Sequence, residues 1–145
     1  MTIFNQIKAV MLLSVFCLVA TSFSILDSTE KHPKWLEGEW EGVGLQLNFP
    51  STWSIDFLVK ENQYMIMYPS LECGGEWELI SANQYKAVFR ENILEGVNKC
   101  VQGGTVVVTK VDEYHISYSY FSPDSGKLEA TSTLVNKKAI DVKKS

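Results

Sequence analysis

Trp53-Ser54-Ile55-Asp56-Phe57-Leu58-Val59-Lys60-Glu61-Asn62-Gln63-Tyr64-Met65-Ile66-Met67-Tyr68 carries the clearest structural signal in the chain. Trp53, Ile55, Phe57 and Val59 share one parity, and Tyr64, Ile66 and Tyr68 take it up again beyond Glu61-Asn62. Successive side chains of an extended chain point to opposite sides, so a large apolar residue at every second position marks a strand with one buried face. Two such runs across a short polar turn read as a β-hairpin.

Outward from this hairpin the pattern recurs at Trp77 and Leu79; at Tyr85, Ala87 and Phe89; at Tyr114, Ile116, Tyr118 and Tyr120; and at Leu128, Ala130 and Leu134. Thr105 to Val111 is β-branched enough for a strand. An opening strand around Trp40 to Leu47 is weakened by Gly38, Gly42 and Gly44, which suggest a bulge or a close backbone approach. Turn signals stand at Ala82-Asn83, Asp112-Glu113 and Pro123-Asp124-Ser125-Gly126, and Gly96 lies in a longer connection. No helical period is evident after residue 24. Seven or eight short strands joined by short turns favour antiparallel neighbours. The expected fold is all-β, a small antiparallel up-and-down β-barrel, with a β-sandwich as the alternative. Ile55, Phe57, Ile66, Phe89 and Ile116 are expected at its centre.

The 145-residue chain begins with a different kind of segment. Lys8 precedes an apolar run from Ala9 to Ala20, and small residues follow at Ser22 and Ser24. A charged start, about a dozen apolar residues and a small-residue exit make a secretory signal peptide. The run is short of the roughly 20 residues that a spanning helix needs. Residues 1–24 are therefore expected to be cleaved, after Ser22 or Ser24. An exported β domain over 25–136 and a basic tail over 137–145 would remain, secreted or periplasmic and without a membrane span. Cys17 follows Phe16, where a lipid-attachment site wants a small residue, so it is expected to leave with the signal. Losing Lys8 makes the formal net charge of -4 one unit more negative. An acidic domain without a basic stripe is a poor match for nucleic acid, whose phosphates require clustered Lys and Arg.

Two cysteines remain, in Cys73-Gly74-Gly75 and Cys100-Val101-Gln102-Gly103-Gly104. In an oxidising compartment they are expected to join. Cys73 follows the strand ending at Tyr68 and Cys100 precedes the one beginning at Thr105, so the bridge would tie two inter-strand loops. It would close about 28 residues, for which the chain-entropy model gives roughly 3.5 kcal/mol. The adjacent glycines suit positive φ or tight approach. The spacing is not C-x-x-C, and a redox role is not expected.

Tyr68-Pro69-Ser70-Leu71-Glu72-Cys73-Gly74-Gly75, followed by Phe89-Arg90-Glu91-Asn92-Ile93, Gly96, Cys100 and Gly103-Gly104, resembles a small bacterial extracytoplasmic domain. Such disulfide-bonded β domains also occur at the outer, C-terminal ends of some bacterial serine/threonine protein kinases. The resemblance spans Trp40 to about Leu134 and includes Trp40-x-Gly42 with Gln46. It brings no known activity or ligand, so no catalytic residue is carried over. A sensory role is implied only by the company these domains keep.

Glu91 stands out from the alternation, because parity places it on the apolar face with Ala87, Phe89 and Ile93. Burying a lone charge is very costly, so a carboxylate there must be paired, hydrogen-bonded or protonated. It would cap the cysteine loops or pair with a cation, or else anchor a ligand at the floor of a pocket walled by Trp53 and Tyr68. A register slip into solvent is the third reading. His32 and His115 are the only histidines, and no cluster has metal-ligand spacing. No serine-nucleophile elbow appears. Glu39/Glu41 and Glu76/Glu78 alternate on strands and read as solvated faces. Trp35, Trp40, Trp53 and Trp77 suit core packing or stacking on a ligand. Neither an enzyme nor a cofactor is expected. Two function classes stand: a binding or sensing module whose ligand, a small molecule or cell-wall fragment, sits in the barrel mouth, and an interaction module for an envelope protein, such as an inhibitor of a cell-wall-degrading enzyme. A cavity lined by Trp53, Tyr68 and Glu91 would favour the first; a closed core with acidic, protruding loops would favour the second.

Overall fold

The computed structural model describes residues 32–142. The signal peptide expected over 1–24, Cys17, the start of the β domain at residue 25 and the tail lysines Lys143 and Lys144 lie outside the described residues. Eight antiparallel strands form one closed barrel in up-and-down order: β1 (Gly38–Gln46), β2 (Thr52–Lys60), β3 (Gln63–Tyr68), β4 (Cys73–Ala82), β5 (Lys86–Glu95), β6 (Thr105–Lys110), β7 (His115–Phe121) and β8 (Leu128–Asn136). Each strand pairs with its successor, and β8 returns to β1 with Gly42 opposite Leu134. The sandwich alternative is thereby set aside. The hairpin read over Trp53–Tyr68 is β2–β3, with Phe57 facing Ile66 and Lys60 facing Gln63 across Glu61-Asn62.

Eight strands enclose an interior just wide enough for side chains to fill. Here it is filled at the centre: Ile55, Phe57, Ile66, Phe89 and Ile116 are all fully buried. The Trp77 ring packs at a tilt against Phe57 and Phe89, with centroids at 4.3 and 5.5 Å. One end is plugged by a 3-10 turn, Lys34–Leu36, which delivers Leu36 into the core. Trp40 Nε1 donates to the Leu36 carbonyl at 2.8 Å, and Trp35 Nε1 donates to the Asn83 carbonyl at 2.9 Å. Trp40 and Trp77 are thus core residues, while Trp35 and Trp53 pack against the core from outside its centre.

Several expectations are corrected. Tyr85 and Tyr114 share the parity of the inner face, yet both precede their strands and lie outward, Tyr85 at 60% exposure. Each sits in a tight turn in which Asn83 or Asp112 accepts N–H bonds from the residues two and three positions on. That local hydrogen bonding overrides the alternation. Cys73 is not in a loop but opens β4, paired with Tyr68 across the 3-10 turn Pro69–Leu71. Gly74 and Gly75 are likewise within β4, where the register with β5 shifts. A Cβ on Gly75 would lie 2.0 Å from the Asn92 carbonyl oxygen, so only glycine allows β5 this close. The described residues also close with a helix, α1 (Lys137–Val142), where no helical period was expected. At under two turns it is too short to show one, and the Asn136 side chain accepts the Lys138 N–H at 3.0 Å where the helix begins. No helix among the described residues is long and apolar enough to cross a membrane.

Cys73 and Cys100 form a disulfide across a separation of 27 residues, with Cα atoms 6.3 Å apart. It fits an oxidising compartment. Cys73→Ala should cost about 2–5 kcal/mol. Phe89→Ala should cost about 3–5 kcal/mol through lost transfer energy and the cavity it leaves. Urea unfolding of both variants against the parent measures these losses.

Candidate functional site at the barrel mouth

The end opposite Leu36 is not filled. A cavity of about 240 Å³ opens there, reached past the β1–β2 turn and the β5–β6 loop. Trp53, Tyr68 and Glu91, the three residues singled out from sequence, all line it. Leu71, Lys99, Cys100 and Val101 roof it from two segments that the disulfide ties together. An ion pair between Lys99 and Glu72 runs beside the bridge on the exposed side.

Glu91 is held from both neighbours. It faces Trp77 on β4; on the other side its N–H donates to the Gly104 carbonyl at 2.9 Å and its carbonyl accepts the Gly103 N–H at 3.1 Å. Gln102 extends the same edge, its amide bonding both the N–H and the carbonyl of Ile93. A backbone fixed in this way leaves no register slip, and the side chain points inward at 3% exposure. It does not cap the cysteine loops through its carboxylate, nor does it pair with Arg or Lys. Its Oε1 instead accepts from the Tyr68 hydroxyl and from Trp77 Nε1, the latter at 3.1 Å. Because the Tyr68 proton is used on Glu91, the Tyr118 hydroxyl donates to the Tyr68 oxygen, at 3.4 Å. Oε2 has no hydrogen-bond partner among the described residues.

Sequence reasoning missed Tyr118, Tyr120, Gln46 and Glu129 as members of the site. Tyr118 and Tyr120 were legible as inward residues, and Gln46 shares the inward parity of Trp40, Gly42 and Gly44, the same kind of signal that exposed Glu91. Tyr120 is 8% exposed, and its hydroxyl is buried without any hydrogen-bond partner. Two glycines make room for the aromatic walls. A Cβ on Gly104 would lie 2.3 Å from the Tyr120 hydroxyl, and one on Gly44 would lie 2.4 Å from the Trp53 ring.

Burial sets the electrostatics. Desolvation raises the Glu91 carboxyl above its ordinary value, against the lowering pull of the bonds from Tyr68 and Trp77. Desolvation also pushes the Tyr68, Tyr118 and Tyr120 hydroxyls up, with the Glu91 charge adding to each. Elsewhere the surface offers less. A wider hollow near the plugged end, lined by Glu39, Glu41, Lys60 and Lys137, is a solvated charged surface; Lys137 Nζ there lies 3.6 Å from Glu39 and 3.8 Å from Asp56. His32 bonds Tyr64 and Glu37, and His115 bonds Asp112, so neither reaches the mouth. No group of three metal-ligating side chains occurs among the described residues.

Comparison with models of known protein families, with curated proteins and with solved structures gives no match to this chain.

The raised Glu91 value has a definite sign in stability. Between the ordinary value of about 4.5 and the raised one, the folded protein keeps a proton that the unfolded chain releases. The stability contributed by that proton is complete below about 4.5 and is lost as pH rises through the folded value. Glu91→Gln should therefore cost roughly 1–3 kcal/mol at acid pH, and the deficit should shrink as pH rises. Urea midpoints of parent and variant across pH test this. A deficit that grows with pH would mean that the anion is the favoured buried form.

Proposed function

We propose that the protein is a non-catalytic binding or sensing module of the secreted or periplasmic space that holds a small molecule in its barrel mouth. The observation that carries this reading is the meeting of Trp53, Tyr68 and Glu91 at one cavity. Ligand sites are typically concave and mostly apolar, with a few placed polar groups. This cavity has that composition: aromatic walls, a carboxylate at the floor and a buried phenol without a protein partner. A chain under selection for stability alone gains nothing from an unpaired buried hydroxyl, whose desolvation is uncompensated. The interaction-module reading expects a closed core and acidic, protruding loops. The cavity speaks against the first, and the apolar rim residues Phe49 and Val101 speak against the second.

The export signal expected over residues 1–24 and the disulfide support the location, and the resemblance to the outer domains of bacterial kinases supports a sensing role. The test is incubation of the mature protein with an envelope extract, followed by native mass spectrometry. A bound small molecule should appear, and Val101→Trp, which crowds the exposed loop over the cavity, should abolish it without unfolding the barrel. Retention of nothing by the parent, or equal retention by the variant, would refute a ligand site in the mouth.

A further inference from the structure

We propose that the ligand is a small alkylammonium cation, its N–H groups donating to the Glu91 carboxylate and the Tyr120 hydroxyl and its alkyl part lying among the rings of Trp53 and Tyr118. This rests on the reading of the mouth as a binding site and specifies the chemistry of what enters.

Size comes first. At about 240 Å³ the cavity lies below the volumes typical of drug-sized ligands, roughly 300–1,000 Å³. A molecule of a few heavy atoms fits. The sign of charge comes second. Glu91 and Glu129 line the cavity, and the charges acting on the Tyr120 hydroxyl are those of Glu91, Glu129 and Asp124, all negative. The one cation on the lining is Lys99, which is paired with Glu72. An anionic ligand would meet uncompensated repulsion at the floor, whereas a cation meets attraction.

Hydrogen-bond capacity comes third. Glu91 Oε1 is occupied by Tyr68 and Trp77, which leaves Oε2 as the free acceptor. Tyr120, nine-tenths buried, lines the same cavity, and its hydroxyl has no partner. Two acceptors without protein donors match a ligand rich in N–H donors. Trp53, Tyr68, Tyr118 and Tyr120 supply the remaining wall, and aromatic rings attract cations through their quadrupoles. Burial disfavours the Glu91 anion in the empty site, and a bound ammonium would restore it. Binding is therefore accompanied by proton release on the acid side of the Glu91 titration.

The titratable groups that share the cavity with Glu91 are Tyr68 from β3, Tyr118 and Tyr120 from β7, Glu129 from β8 and Lys99 from the β5–β6 loop. The three phenols titrate well above the range in question. Glu129→Gln serves as the control for the second carboxylate.

The experiment is titration of the mature protein with n-butylammonium, n-butanol and butyrate, followed by NMR shifts of cavity residues, Trp53 fluorescence and calorimetry in buffers of different ionisation enthalpy. n-Butylammonium should bind most tightly, more strongly as pH rises through the Glu91 titration, with a proton released at acid pH. Glu91→Gln should weaken it roughly tenfold and Tyr120→Phe about threefold, as expected for a charged and a neutral hydrogen bond. Tyr120→Phe removes only a hydroxyl without a protein partner, so it tests the site even if Glu91→Gln folds poorly. Equal or tighter binding of n-butanol or butyrate would overturn the ammonium assignment while leaving a binding site in the mouth. Silence from all three probes, or full affinity in Tyr120→Phe and Glu91→Gln, would overturn it as well. The binding-module reading falls separately, on failure of the envelope extract to yield a ligand that Val101→Trp blocks.

Discussion

Pairing of β8 with β1 is the constraint on which the rest of the structure depends. It turns a row of hairpins into a closed surface with no free edge, so that every strand has one face in the interior and one in water. The seam also carries a side-chain bond across it: Ser132, inward on β8, donates its hydroxyl to the Val43 carbonyl of β1 at 2.8 Å. Closure makes parity meaningful. Until the ring is complete, the alternation of Trp53, Ile55, Phe57 and Val59 defines a face but not an inside.

The number of strands then limits what the interior holds. Phe57, Trp77 and Phe89 fill its middle, and Leu36 from the 3-10 turn stops one end. At the other end the aromatic side chains wall a space without filling it. The residues there include Glu91, Gln46, Trp53 and the phenols of Tyr68, Tyr118 and Tyr120. The disulfide draws the β5–β6 loop against the start of β4, which roofs part of this end without closing it. Stability and the candidate site are thus coupled, since Trp77 packs in the aromatic centre and also donates to Glu91. The phenol chain from Tyr118 through Tyr68 to Glu91 connects the core with the cavity floor.

Much of this was legible along the chain because a barrel interior is written in a period of two. The hairpin Trp53–Tyr68, the central positions Ile55, Phe57, Ile66, Phe89 and Ile116, and the inward placement of Glu91 all follow from parity, which depends only on neighbours in sequence. The cysteine pairing was legible on another ground, the expected loss of Cys17 with the signal, which leaves two thiols for one bridge. Parity fails where local hydrogen bonds take over, as at Tyr85 and Tyr114 in their Asn83 and Asp112 turns, or where a bulge shifts the register, as between Leu79 and Ser81, beyond which Ala82 is the buried residue.

Distance along the chain hides what lies across the barrel. Gln46, Trp53, Tyr68, Glu91, Tyr118 and Glu129 come from six different strands, and only closure brings them to one mouth. Sequence alone told that Glu91 needs a partner, because a buried carboxylate cannot stand alone. It did not tell which partners, since Trp77 on the adjacent β4 and Tyr68 on β3, one strand further, are chosen by their height in the barrel. The empty volume is further still from the sequence. It is the difference between the space that eight strands enclose and the side chains that happen to reach one end, a quantity that exists only in three dimensions.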